Sequence, residues 1–251
     1  MHNRFWLAIA RSADRILPKP RLLGIGLLGL ASSAGATDLS AVRIYTDDDP
    51  PYVVVDKSNA VEGGLTVDKV FKVLKKLSLP ASTVEAVPWA RAYNLAKGSP
   101  NVLIFPIAKT RERLQYLDFT FKIIDSKVYF YRLKSRTDIQ LTSLNDAKGY
   151  TVCVVLGDYR YEYLKEQGFP KLDTTSDRTV NVQRFLAGRC DLLPSTEIGM
   201  QSKLSALHQS EDLVVRSIEL DNLDSALYAA FNKNTPPAVI KAFKDAALAA
   251  D

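Results

Sequence analysis

The chain is short of the residues on which most enzyme chemistry is built. It has 251 residues, of which only two are histidine (His2 and His208) and two are cysteine (Cys153 and Cys190). So thin a histidine supply leaves no H-E-x-x-H zinc site and argues against a Ser-His-Asp triad. From Thr37 onward there is no G-x-S-x-G, no Walker loop and no G-x-G-x-x-G, so the sequence signals of hydrolases, P-loop proteins and dinucleotide-binding domains are missing. The cysteines lie far apart and lack zinc-site spacing. Neither a resident metal nor a cofactor is expected. Long apolar runs are also missing. The longest, Leu22–Ala31, falls short of the roughly 20 apolar residues that span a bilayer. Internal repeats, low-complexity tracts and charge blocks do not occur.

What the front of the chain does have is an address. Arg4, Arg11, Arg15, Lys19 and Arg21 precede the apolar run, and Ser32-Ser33-Ala34-Gly35-Ala36 follows it as an A-x-A cleavage site. That three-part order is the secretory pattern, so residues 1–36 are expected to be a signal peptide cut near Ala36. The alternative is an uncleaved amphipathic anchor. No cysteine follows the run to carry a lipid. Removing the leader also changes the charge. The whole chain carries 33 basic and 28 acidic residues, and the leader takes five of the first and one of the second, which leaves 28 and 27. A net charge near +1 is no basic stripe, so nucleic acid is not an expected partner.

The most informative stretch is Asn101–Thr120, NVLIFPIAKTRERLQYLDFT. Val102-Leu103-Ile104-Phe105 reads as a strand buried on both faces. Lys109, Arg111 and Arg113 come just past its carboxyl end, where open α/β sheets bind ligands. A guanidinium there offers a planar fork of donors that matches a carboxylate. Arg113 is the prime candidate, with Phe105, Ile107 and Ala108 on the strand before it as neighbouring lining positions; Arg111 reads as a solvated surface charge.

Around this stretch, strands and helices alternate. Ala41–Thr46 reads as a strand. Val67, Val70, Phe71, Leu74 and Leu77 form one helical stripe that Pro80 stops. Pro88 opens a helix with Trp89, Ala92, Tyr93 and Ala96 on one face and Gly98 as its stop. Strands over Lys127–Lys134 and Tyr150–Leu156 follow, then a helix over Tyr159–Gln167 ended by Gly168. Val182, Phe185 and Leu186 sit on a helix stopped at Gly188. Asp191–Leu193 reads as a short strand, Thr196–Leu207 as a helix, and Leu213–Glu219 and Ala226–Phe231 as strands. Thr235 reads as the N-cap of a last helix with Pro236 at its first position. Short strands separated by helices predict an α/β protein with parallel sheets. Two such units stand in series, and the chain is expected to cross back near Ser217–Ser225, which makes a two-strand hinge over a cleft. One doubly wound sheet is the alternative.

Other residues offer ligand chemistry. Asp47 ends the first strand, where an acid pairs with an ammonium. Asp48 and Asp49 beside it form a turn without the regular calcium-loop pattern. Tyr52 and Trp89 supply flat walls for a cleft, or core. Gly157-Asp158-Tyr159 opens a helix, either as an anion site or as an ordinary cap. Ser195, Thr196 and Glu197 stand at another strand end. Cys153 and Cys190 are read either as a disulfide or as two buried thiols on neighbouring strands.

Taken in order, several segments carry a resemblance: Val42-Arg43-Ile44-Tyr45-Thr46-Asp47 with Pro51-Tyr52, Gly64-Leu65-Thr66-Val67-Asp68, Thr110-Arg111-Glu112-Arg113 through Asp118-Phe119-Thr120, and Gly188-Arg189-Cys190-Asp191. With these, the chain resembles the family 3 (polar amino acid type) periplasmic solute-binding proteins of ABC importers, in a divergent branch. The resemblance implies a two-lobed type II periplasmic binding protein fold with two hinge-crossing strands, lobe 1 over 37–129 and 220–251 and lobe 2 over 130–219. It implies that Arg113 clamps the ligand's carboxylate, that Asp47 lines the first lobe, that Trp89 packs on the ligand, and that Asp158 and Tyr159 close over the carboxylate. Phe105-Pro106 departs from the small hydroxyl residues that many members carry. Thr196 stands where members place the acid for the α-amino group, and Glu197 is one residue away. The resemblance further implies a periplasmic, monomeric binder, not an enzyme, whose partners are a small carboxylate-bearing solute and an ABC permease of the inner membrane. A dehydratase-like enzyme working through cleft carboxylates, or a ligand sensor on the same scaffold, is the alternative.

Overall fold

A computed structural model describes residues 37–250; the leader read at Met1–Ala36 lies outside them. In chain order the elements are β1 (Arg43–Thr46), β2 (Val54–Val55), β3 (Val61–Gly63), α1 (Val67–Lys76), β4 (Val84–Ala86), α2 (Trp89–Gly98), β5 (Val102–Ala108), β6 (Leu117–Ile124), β7 (Val128–Leu133), α3 (Leu144–Ala147), β8 (Val152–Val155), α4 (Tyr159–Glu166), β9 (Leu172–Thr175), α5 (Arg178–Leu186), β10 (Leu193–Thr196), α6 (Glu197–Ala206), β11 (Val214–Glu219), β12 (Leu227–Asn232) and α7 (Pro237–Leu248).

Five strands form one sheet in the order β4-β1-β5-β12-β6, and three form another in the order β10-β7-β11. β8 and β9 pair in parallel, and a bridge from Val152 to Leu192 sets β8 beside the strand residues that lead into β10. The chain leaves the five-stranded sheet between Ile124 and Val128 and returns between Glu219 and Leu227. The crossings are tied to each other: the Ser126 hydroxyl donates to the Ser225 carbonyl at 2.5 Å, and the Ser225 hydroxyl donates to the Ser126 carbonyl. The sheets are mixed, which corrects the parallel expectation. β1 runs parallel to β4 and β5, but β12 runs antiparallel to β5 and β6, and β7 is antiparallel to both its neighbours. The reason is the crossing itself. A strand that returns from the other half enters the first sheet from the opposite end, and helix alternation does not record that direction.

Apolar periodicity places most helices correctly. Val67, Val70, Val73 and Leu74 of α1 face Val239, Ile240 and Phe243 of α7 over one side of the five-stranded sheet, with Phe231 and Phe243 edge to face at 4.9 Å. Ala92 and Ala96 of α2 cover the other side against Val102 and Ile104. Three local readings shift. The short strand is Leu193–Thr196, not Asp191–Leu193, because the Asp191 carboxylate is taken by the Thr151 N–H at 2.8 Å and by Arg136. Pro236 rather than Thr235 caps α7, since the Thr235 hydroxyl accepts from the Asn101 N–H at 2.9 Å. Pro88 likewise caps α2 instead of opening it.

Pro106 sits inside a central strand, where a residue without an N–H is normally excluded. The register explains it. Ile104 and Ile107 pair with Ala230 and Tyr228, so Phe105 and Pro106 together face Ala229 across a bulge, and β1 has already ended alongside. No ladder bond is demanded of Pro106.

Cys153 and Cys190 are joined, with Cα atoms 5.5 Å apart. The bond ties β8 to the turn before β10 and lies against Phe185, Met200 and Leu204. Closing a loop across 37 positions is worth about 4 kcal/mol in the chain-entropy model. A Cys190→Ala variant is therefore expected to lose several kcal/mol in urea unfolding, and unreduced, unfolded wild-type protein should show no titratable thiol; two thiols would contradict the bond.

Candidate functional site

The carboxyl ends of β1 and β5 and the first turns of α4 and α5 converge on one cavity. It is lined by Asp47, Asp49, Tyr52, Trp89, Pro106, Ile107, Ala108 and Arg113 on the five-stranded side, with Leu227, and by Asp158, Tyr159, Arg160 and Arg178 on the other. The space they bound, open solvent included, is about 460 Å³.

Each wall has a local cause. Tyr52 is held by the segment Gly64-Leu65-Thr66: the Thr66 N–H and hydroxyl both donate to the Tyr52 carbonyl, at 3.1 and 2.8 Å. Gly64 has φ +127°, and a Cβ there would come within 2.4 Å of that carbonyl oxygen, so only glycine permits the approach. Behind the cavity wall, the Tyr52 and Thr196 hydroxyls share a 2.5 Å hydrogen bond. Asp158 caps α4 by accepting from the Arg160 N–H, and its carboxylate also binds the Arg160 side chain at 3.0 Å.

Arg113 is 1% exposed. Its Nη1 donates to the Ala108 carbonyl at 3.1 Å, and its Nη2 donates to the Gly157 carbonyl and to Glu162 Oε1, both at 3.0 Å. The guanidinium carbon lies 5.4 Å from each of the Trp89 and Tyr93 ring centres, near enough for cation–π attraction. Arg178 reaches back to the first half, with Nη1 on Asp47 at 2.5 Å and Nε 3.5 Å from Asp49. Lys203 meets Asp49 at 3.2 Å. Several of these contacts join the two halves, and all the groups come from the chain itself.

Burial governs the electrostatics. Desolvation raises the Asp47 carboxyl above its usual range, with the Arg178 guanidinium opposing it. Desolvation likewise raises Glu162, against Arg113, and pushes the Tyr93 phenol up to about 12. Among the described residues, one grouping has metal-ligand proximity, Cys153, Asp173 and Cys190, and both its sulfurs are spent in the disulfide.

Of the residues singled out in the sequence, Asp47, Tyr52, Trp89, Ile107, Ala108, Arg113, Asp158 and Tyr159 come together here, with Thr196 behind Tyr52. Two do not. Phe105 is fully buried in the core beneath α1 and α7, because alternate residues of a strand face opposite sides of the sheet. Glu197 opens α6 facing outward and pairs with Arg216 at 3.1 Å, with more than half its side chain exposed; Thr196, the cap, turns inward instead. Asp49, Arg160, Glu162 and Arg178 were not foreseen as a set. Arg160 follows the helix start already singled out at Asp158-Tyr159, so the same strand-end argument extends to it. Nothing in the linear pattern brings Arg178 to Asp47.

The raised Glu162 carboxyl has a consequence for stability. Above the ordinary value of 4.5, the folded protein still holds a proton that the unfolded chain has released, so stability falls as pH rises through the window between the ordinary and the raised value. Glu162→Gln, which has no proton to lose, should flatten that fall in urea unfolding measured from pH 4 to pH 7; an unchanged profile would refute the assignment.

The fold has known counterparts. The arginine-, lysine-, histidine-binding protein ArtJ from the thermophilic bacterium Geobacillus stearothermophilus superposes with a TM-score of 0.68 at 18% identity, over 83% of this chain and 88% of that one. An ancestral arginine-binding protein bound to arginine gives 0.67 at 18%, over 83% and 91%. A histidine kinase sensor domain described as similar to periplasmic binding proteins gives 0.67 at 18%, over 83% and 89%. No curated protein matches the sequence. The two-lobed, mixed α/β architecture is therefore that of periplasmic binding proteins. The family model of the bacterial extracellular solute-binding proteins, family 3, matches residues 42–247, and the chain belongs to that family.

Proposed function

We propose that this protein captures a small carboxylate-bearing solute, an amino acid or a close relative, in the cavity between its two halves. It then hands the solute to an ABC permease of the inner membrane, acting as a periplasmic monomer after loss of its leader. The observation that carries the reading is the cavity's lining. Three carboxylates (Asp47, Asp49, Asp158) and three guanidinium groups (Arg113, Arg160, Arg178) face one small space, with Tyr52, Trp89 and Tyr159 as its flat walls. Buried charge of one sign is tolerated only with a partner. A lining of equal and opposite charge suits a zwitterion, whose ammonium and carboxylate each find a counter-ion.

The mechanism is closure. Walls from both halves contact one solute, so the solute favours the closed form by its differential affinity for it. Affinity on the order of micromolar, roughly −8 kcal/mol, is expected for such a capture step. A second reading has one observation in its favour. A histidine kinase sensor domain shares the fold, and the same closed form presented to a receptor would signal rather than transport.

Thermal melting against a panel of amino acids, polyamines, short peptides and organic acids tests the reading. A bound compound at about 100 times its Kd adds about 2.7 kcal/mol, and that compound should carry a carboxylate. A panel with no stabilising carboxylate compound defeats the proposal; steady conversion of a panel compound would replace it with an enzyme.

A further inference from the structure

Three guanidinium groups face the cavity, and they differ in how much of their donor capacity the protein has already used. A guanidinium grips a carboxylate with two donors along an edge, either Nη1 with Nη2 or Nε with Nη2. Both edges include Nη2. In Arg113, both Nη2 hydrogens are committed, one to the Gly157 carbonyl and one to Glu162 Oε1, and Nη1 serves the Ala108 carbonyl. Its Nε has no partner, yet one donor alone makes no fork. In Arg178, Nη1 is on Asp47 and Nε faces Asp49.

Arg160 is different. Its Nη1 binds the Asp158 carboxylate at 3.0 and 3.1 Å. Its Nε is buried without a partner, and its Nη2 makes no hydrogen bond among the described residues. A whole two-donor edge is therefore unclaimed on a residue that lines the cavity. The Tyr159 ring centre lies 4.4 Å from the guanidinium carbon, within cation–π reach. Its place in the first turn of α4 adds the positive end of the helix.

We propose that Arg160, not Arg113, receives the solute's carboxylate, and that Glu162 is a resident counter-ion that keeps Arg113 as a strut between the two halves. Arg113 then serves the fold, and the solute is left the shallower cation beside Asp158. The proposal rests on the reading that a carboxylate-bearing solute enters this cavity, and acetate separates the two questions.

Protein labelled with 15N-arginine is titrated with acetate, and the Nε–H resonances are followed. They are assigned by their loss in Arg160→Lys and Arg113→Lys, with Arg160→Gln as the alternate should a lysine variant misfold. The Arg160 resonance should move and saturate while the Arg113 resonance stays. Movement of Arg113 instead, or of neither, overturns the proposal. With any panel compound that raises the melting temperature, Arg160→Gln should weaken binding about tenfold or more, the worth of a charge-assisted hydrogen bond. Glu162→Gln should leave affinity unchanged or weaker. A tightening in Glu162→Gln would show that solute and Glu162 compete for Arg113 and would also overturn it. If no panel compound binds, the capture reading falls, while the acetate titration still decides between the two arginines.

Discussion

A permanently charged group sunk in the protein must be surrounded by acceptors, and Arg113 imposes that requirement on the whole cleft. A guanidinium in a protein stays charged and cannot escape by losing a proton. Buried at 1% exposure, it draws on the end of β5, the turn before α4, a carboxylate of α4 and two aromatic rings of α2. Two of these partners belong to the other half of the molecule. Meeting the demand of one guanidinium therefore brings the two halves together over the cavity.

The same rule recurs with the signs exchanged. Asp47, buried at the end of β1, is met by Arg178 from α5, and Asp49 by Arg178 and Lys203. Breaking one member of such a buried pair costs far more than the pair itself contributes, because the survivor is left without solvation. The cleft is thus lined by charges that are costly to separate. What they leave over, in unclaimed donors and acceptors more than in net charge, is the chemistry the cavity offers.

Departures from the family's pattern fit this picture. Thr196 stands where an acid is expected, and its hydroxyl is tied to Tyr52 and to the start of α6. Pro106 brings no N–H to the cavity wall, and its bulge against Ala229 keeps the strand intact. With those contacts reduced, the acids and donors that line the cavity include Asp47, Asp49 and the arginines of α4 and α5.

Much of the fold was legible in the linear pattern. The stripes of α1, α2 and α5, the apolar run of β5 and the strand over Val128–Leu133 follow from periodicity, which depends only on neighbours a few residues apart. So does the placing of Arg113, Asp47 and Asp158 at strand ends, where the backbone turns and side chains gather. Strand direction was not legible, because β12 enters beside β5 only after a long excursion through the other half. Nor were the partners. Arg178 meets Asp47 across 131 positions, and Glu162 meets Arg113 across 49. By itself the sequence determined which segments are helix or strand and which ends carry charge. Only the tertiary structure decided which charges are spent on one another and which remain for a ligand, because pairing is set by distances in space that local chemistry does not encode.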